Sequence, residues 1–397
     1  MSVDFVFTSG SVTRGHPDKL CDQISDAIVD ACLRQDPASR VNTECAISGG
    51  VLFISHRAAS EAVVDLAETA RAMVTRVGYA ADHGEFNARD CSVMISQAAL
   101  GMAVGERHDL AALTAAQRRR IPAGNQVTLF GYACRQTPQL MPLPVVLAHR
   151  LVQRLDQVVA HKELDYLAPD GQAQVGIIYA ERRPVGIHSL NLIAAQRPDA
   201  TTDLARLRDD LLQAVVEPVM AESELRPDNN THLVVNPEGL VIGGGPMLHS
   251  GLTGRKTGID TYGEYARHSG AALSGKDPLR IDRIGAYAAR HAAKLVVAAG
   301  LAEECEVQLS YAVGQAEPVS LRVHSYGSGQ LDDDVIATRI RQAFDFRPGS
   351  IAQAYELQHL PQQRHDFFSE LACYGQLGRE DLAVPWEALD KVDALKG

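Results

Sequence analysis

The sequence predicts an α+β fold of three similar domains, each a sheet covered by helices on one face. Two observations carry this. A string of helix, apolar hairpin and second helix recurs three times along the 397 residues. Strand and helix signals are segregated within each string rather than alternated as in a parallel βαβ chain.

In order, the first helix is expected from Pro17 to Arg34, with Leu20, Ile24, Ile28 and Cys32 at four-residue spacing. A hairpin from Val41 to Ser55 turns at Gly49-Gly50, and a second helix from Ala58 to Arg76 stops at Gly78. The second copy runs as a helix from Pro144 to Ala160, a hairpin from Gln174 to Ala194 about Arg182-Arg183-Pro184, and a helix from Thr202 to Val216. The third is a helix from Ile281 to Ala299, a hairpin from Glu306 to Tyr326 and a helix from Asp333 to Phe344. The domains are accordingly drawn at residues 1–104, 115–234 and 235–397. Between Gly101 and Gly124 no strand pattern exists, so an ordered lid and a plain surface loop both fit, and Arg118-Arg119-Arg120 reads as a solvated face.

A net charge of −11 argues against nucleic acid as the main partner. No apolar run approaches a membrane span, and the start lacks a signal peptide's basic and apolar regions, so a cytoplasmic protein is expected. Seven scattered cysteines without a CxxC pair read as reduced thiols, not a zinc site.

Three segments carry chemistry. Gly15-His16-Pro17-Asp18-Lys19 opens a helix, where free N–H groups favour anions and Pro17 suits the first position. Asp18 alone would repel phosphate, but a divalent cation can bridge carboxylate and phosphate oxygens. Gly251-Leu252-Thr253-Gly254-Arg255-Lys256 and Ser274-Gly275-Lys276-Asp277-Pro278 add glycines for close approach and cations for the phosphates. Together they read as a polyphosphate-and-metal site.

These motifs, with Phe130-Gly-Tyr-Ala, Gly244-Gly-Pro-Met, Asp260-Thr-Tyr-Gly and Ala286-Tyr-Ala-Ala-Arg, resemble those of S-adenosylmethionine synthetases from Phe7 to Glu380, nearly the whole chain. The resemblance implies pseudo-threefold symmetry and a homodimer, or a dimer of dimers, with active sites at the interface. It implies magnesium, potassium and ATP, with methionine sulfur displacing the triphosphate from C5′, and hydrolysis of that triphosphate to pyrophosphate and phosphate. His16 would hydrogen-bond at the breaking C–O bond. Asp18 and Asp282 match magnesium carboxylates, and Glu44 matches the potassium ligand. Lys19, Arg255, Lys256, Lys276 and Arg280 match cationic positions of the motifs, Arg280 replacing a lysine; Arg255 would serve the phosphoanhydride cleavage.

The departures cluster. Asn125, Arg57 and His249 stand where the family has Asp, Glu and Asp, and Leu100 aligns with a Gln; in the family these surround the amino-acid end of methionine. Val241 replaces a Phe lying against adenine, Gln172 a phosphate-site Lys, Gly10 a Glu, and Ile193-Ala194-Ala195-Gln196 a Ser-Thr-Gln-His. A charge pair at 4 Å is worth about 4 kcal/mol at an effective dielectric near 20, so trading a carboxylate for a guanidinium disfavours a substrate ammonium. The expected activity is adenosyl transfer to methionine or to a methionine-like thioether lacking the amine. Ordinary methionine use, a non-catalytic paralogue and a tripolyphosphatase are the alternatives.

Overall fold

The computed structural model describes residues 4–80, 84, 86–101 and 106–396. In chain order the elements are β1 (Phe5–Val12), α1 (Pro17–Gln35), β2 (Arg40–Ser48), β3 (Val51–Ala59), α2 (Leu66–Val77), β4 (Ser92–Ala99), α3 (Ala115–Arg118), β5 (Val127–Cys134) and α4 (Leu143–Ala160). Then come β6 (Leu167–Ala180), β7 (Arg183–Gln196), α5 (Leu204–Leu211), α6 (Glu217–Ala221), β8 (His232–Val235), β9 (Val241–Ile242) and β10 (Gly251–Leu252). The last third holds α7 (Thr257–Asp260), α8 (Ile281–Ala298), β11 (Glu304–Tyr311), β12 (Ser320–His324) and α9 (Asp333–Ala343), followed by short helices.

Three sheets result, ordered β10-β2-β3-β4, β1-β6-β7-β8 with β9 on β7, and β12-β11-β5. One long helix covers each: α1 lies on β2, α4 on β6 and β1, and α8 on β5 and β11. This is the expected α+β arrangement of three similar units.

The sheets nevertheless do not follow the consecutive stretches 1–104, 115–234 and 235–397. β1 pairs with β6, β5 with β11 and β10 with β2, so each sheet borrows a strand from another stretch. That exchange ties the units together, and α8 is buried from Ile281 to Val297 as a result. Its close seat on β5 depends on Gly131, where a Cβ would collide with the Ala289 carbonyl.

The predicted helix from Ala58 begins only at Leu66. Ala58 and Ala59 complete β3, and Asp65 caps α2 by accepting from the Glu68 N–H at 2.9 Å. Gly78 ends α2 in the left-handed region, as its position suggested. The second hairpin is longer than expected, running from Leu167 to Gln196, and turns at Glu181 and Arg182, both at positive φ. The helix expected to close at Val216 passes through a π turn, Leu212–Val216, into α6. In the 101–124 stretch only α3 is regular, and residues 102–105 lie outside the described set. Arg118 there donates to the Leu110 and Leu113 carbonyls, and Arg119 pairs with Asp345. All seven cysteines are unpaired and buried, and among the described residues no helix is long and apolar enough to cross a membrane.

Candidate active site

The predicted residues fall into two groups on one chain. The first gathers at the start of α1. His16 is the N-cap of that helix, and its Nδ1 accepts the Asp18 N–H at 3.2 Å. An acceptor at Nδ1 leaves the neutral ring's proton on Nε2. Burial, with Lys256 and His249 nearby, lowers the His16 pKa to about 4. The ring is therefore neutral at ordinary pH, with a donor Nε2–H.

Asp18 is buried beside it. Its Oδ1 accepts the Leu252 N–H at 2.9 Å, and Oδ2 meets Lys256 Nζ at 2.5 Å, with Arg255 Nε at 3.7 Å from Oδ1. Burial opposes its ionisation, but Lys256 and the Leu252 N–H outweigh that and hold the carboxyl below its usual range. The segment bearing Arg255 and Lys256 is stapled down: Thr253 Oγ1 accepts the Cys45 N–H, and Asp22 accepts the Gly254 N–H at 2.8 Å. Gly251 is required because a Cβ there would strike the Pro17 carbonyl.

Two cavities open beside this group and share Gln172. The larger, about 810 Å³, is lined by Gln172, Gln174, Asn191, Arg255, Lys256 and Glu264 among others. The smaller, about 290 Å³, is lined by His16, Asp170, Val241, Leu248 and His249. His249 Nε2 lies 2.9 Å from Asp170 Oδ2, which also accepts the Gly245 N–H at 2.7 Å. Asp170 escapes sequence reasoning because Pro169-Asp170-Gly171 reads as a turn, whereas β6 runs through it with a register shift.

The second group lies on the β2–β3–β4 sheet. Asp26 accepts the Gly275 N–H and Asp277 accepts the Val41 N–H, clipping the lysine loop against β2, where Lys276 bridges to Asn42. Lys276 Nζ stands 3.6 Å from Asp282 Oδ1, which also accepts Asn125 Nδ2 at 2.7 Å. Burial lowers the Lys276 pKa, with Arg280 and Arg283 adding to it against Asp282 and Glu44. Asp282 Oδ2 and Arg280 Nε are buried without a partner. Glu44, exposed, shares the open face with Arg57, and Leu100 follows the end of β4.

The four residues aligned to the acceptor end are thus not together in one chain: Arg57, Leu100 and Asn125 belong to the second group and His249 to the first. Lys19 joins neither. Its ammonium is fully buried between Asp22 and Asp260, and Lys19 lines neither cavity.

The geometry is that of an α+β protein of three units with cations ranged beside a carboxylate at a helix start and two cavities opening next to it, a setting that suits an anion. The comparisons sharpen this. Family models for S-adenosylmethionine synthetase match throughout: its N-terminal domain over residues 4–99, central domain over 120–241 and C-terminal domain over 242–388. S-adenosylmethionine synthases from Gloeothece citriformis (strain PCC 7424) and Trichormus variabilis (strain ATCC 29413 / PCC 7937) are 45% and 46% identical, covering 100% of this chain and 97% of each relative. That of Thermosynechococcus vestitus (strain NIES-2133 / IAM M-273 / BP-1) is 46% identical over 99% of the chain. The chain belongs to the S-adenosylmethionine synthetase family.

Proposed function

We propose that the protein transfers the 5′-deoxyadenosyl group of ATP to the sulfur of methionine or a methionine-like thioether. The observation that carries this is the line His16, Asp18, Lys256 and Arg255 beside two cavities that share Gln172. The smaller cavity suits a nucleoside, with Val241 and Leu248 as its apolar wall, and the larger suits the triphosphate. Sulfur's lone pair forms the S–C5′ bond as the C5′–O5′ bond breaks, and that electron pair leaves on the triphosphate. The neutral His16 offers its Nε2–H to the departing oxygen, and Lys256 and Arg255 hold the charge that gathers there. Arg255 stays with the triphosphate through its hydrolysis to pyrophosphate and phosphate.

A divalent cation fits this donor set: Asp282 keeps Oδ2 buried and unpartnered, and Asp18 faces the phosphate cations. Magnesium held by Asp18 and Asp282 would supply Lewis-acid neutralisation of the phosphates, and exposed Glu44 would take potassium.

The two half-sites complete one another across a second copy. The open face beside the second group carries Leu252, Ala46, Phe53 and Met94 in one registered row, with Leu252 44%, Phe53 40% and Met94 57% exposed. An apolar row next to an incomplete site favours an isologous dimer. The test mixes two inactive variants, Lys256→Met and Asp282→Asn, after co-refolding or co-expression. Sulfonium product from the mixture, absent from either alone, supports transfer at a shared site. No product from wild-type protein with ATP, magnesium, potassium and any thioether overturns the reading.

Ordinary methionine use is the second reading, and the names of the 45–46% identical relatives favour it.

A further inference from the structure

Resting on the adenosyl transfer proposed above, the placement of His16 itself can be traced to groups outside the two cavities. The segment from Thr13 to His16 connects β1 to α1, and the ring reaches a leaving oxygen only where this segment puts it. A donor of this kind works within roughly half an ångström of its productive position. Two of the anchors are backbone contacts. Thr13 donates its N–H to the Gly171 carbonyl at 2.9 Å, and its Oγ1 accepts the Gly171 N–H at 2.8 Å. The Gly15 carbonyl accepts the Tyr79 hydroxyl at 2.7 Å, and a Cβ at Gly15 would strike the Pro169 carbonyl. Arg14, between them, is held by Asp156 of α4.

Asp156 does this through a closed ring of hydrogen bonds. Its Oδ2 accepts the Arg14 N–H at 3.0 Å and the Tyr374 hydroxyl at 2.7 Å. The Tyr374 oxygen in turn accepts Arg14 Nε at 3.1 Å, and the Arg14 guanidinium lies over the Tyr374 ring, 5.5 Å from its centre. Backbone and side chain of Arg14 are therefore tied to the same carboxylate. Tyr374 stands at φ 60°, a conformation that costs a non-glycine residue free energy, and Arg379 Nη1 holds it there by donating to the carbonyls of Cys373 and Gly375 on either side. Burial pushes the Asp156 carboxyl up to about 7, with Asp170 adding to it, against the Arg14 N–H, the Tyr374 hydroxyl and the Arg14 charge. Asp156 and Tyr374 line neither cavity of the candidate site; both line a separate one of about 560 Å³, so any effect on transfer passes through Arg14.

We propose that Asp156 and Tyr374 are positioning residues for the adenosyl transfer: through Arg14 they set the backbone from which His16 offers its Nε2–H to the departing oxygen. They act on the rate of the transfer step rather than on nucleotide binding, which rests on Arg255, Lys256 and the cavity walls. Removing the carboxylate frees the Arg14 N–H and the Tyr374 hydroxyl together. The segment then keeps its anchors at Thr13 and Gly15 but loses the one between them.

The experiment measures sulfonium product by mass spectrometry from purified wild-type, Asp156→Leu, Asp156→Asn and Tyr374→Phe proteins, with ATP, magnesium, potassium and either methionine or 4-(methylthio)butanoate. Calorimetric titration with the β,γ-imido analogue of ATP counts the nucleotide sites and reads their affinity, so that kcat is expressed per folded site. Asp156→Leu, close in size and unable to accept, is expected to lower kcat per site about tenfold or more while the Kd of the analogue stays within about twofold. Tyr374→Phe, which opens the ring at one bond, should lower it by a smaller factor. Asp156→Asn, whose amide oxygen can still accept both groups, should recover most of the loss. A kcat per site unmoved in Asp156→Leu overturns the inference and leaves adenosyl transfer standing. So does a fall matched by an equal loss of nucleotide affinity, or an Asp156→Asn protein no better than Asp156→Leu. Absence of sulfonium from the wild-type protein overturns the transfer itself. Should Asp156→Leu fail to fold, Tyr374→Phe decides alone: a lowered kcat per site at unchanged Kd supports the inference, and an unchanged kcat overturns it.

Discussion

Replacing Lys19 with Met separates a structural role from a substrate-binding one. Its ammonium lies 3.0 Å from Asp22 Oδ2 and also bonds Asp260 Oδ1, with all three side chains 0–1% exposed. Methionine fills much of the same volume but leaves two carboxylates facing each other. Asp22 keeps the Gly254 N–H at 2.8 Å, whereas Asp260 has nothing further, its Oδ2 already lacking a partner. Breaking a buried pair from one side costs about 3–5 kcal/mol, a large share of a typical folding free energy. Burial first, and then Asp22, push the Asp260 carboxyl above its usual range even with Lys19 present, and removing Lys19 pushes it further. A raised carboxyl binds its proton more tightly in the folded chain, so protonation relieves part of the defect as pH falls. The deficit should therefore be larger at pH 8 than at pH 5.5. Urea unfolding followed by circular dichroism at both pH values measures it, alongside the KM for ATP in the adenosyl-transfer assay. An unchanged unfolding midpoint with a tenfold higher KM for ATP would refute the buried-triad account and return Lys19 to the phosphates.

Other outcomes follow from single contacts. Asp30 accepts the Phe368 and Ser369 N–H groups, yet burial raises its pKa to about 8; stability should fall by on the order of 1–2 kcal/mol between pH 6.5 and 8, and Asp30→Asn should flatten that slope in unfolding titrations. Gly131→Ala should leave little soluble protein, because the new Cβ meets the backbone of α8 rather than a movable side chain; soluble yield and unfolding midpoint report it. Phe53→Glu, on the open face of the first sheet, should shift sedimentation toward monomer and lower adenosyl transfer together; loss of one without the other would separate the dimer from the active site.

The three long helices and the three hairpins were legible because their signals are local: α1 carries its apolar spacing, and the β2–β3 turn falls at Gly49-Gly50. The strand exchange was not. β1 pairs with β6 at least 160 residues away, and β10 is only two residues long, too short for any periodicity to appear. The same limit shaped the site. His16, Asp18, Arg255 and Lys256 sit in contiguous motifs whose residue types state their chemistry, but Lys19 shares the first motif and turns the other way. Its helical position aims it at Asp22 one turn on, and Asp260 comes from a segment 241 residues distant. Asp170 was hidden because Pro-Asp-Gly is also what an ordinary turn looks like. Resemblance gathered Arg57, Leu100, Asn125 and His249 into one acceptor site, and a single chain divides them between two surfaces. That division itself argues for a second copy. In the proposed dimer the unpartnered Asp282 oxygen and the exposed apolar row of one copy would meet the His16 cavity of the other.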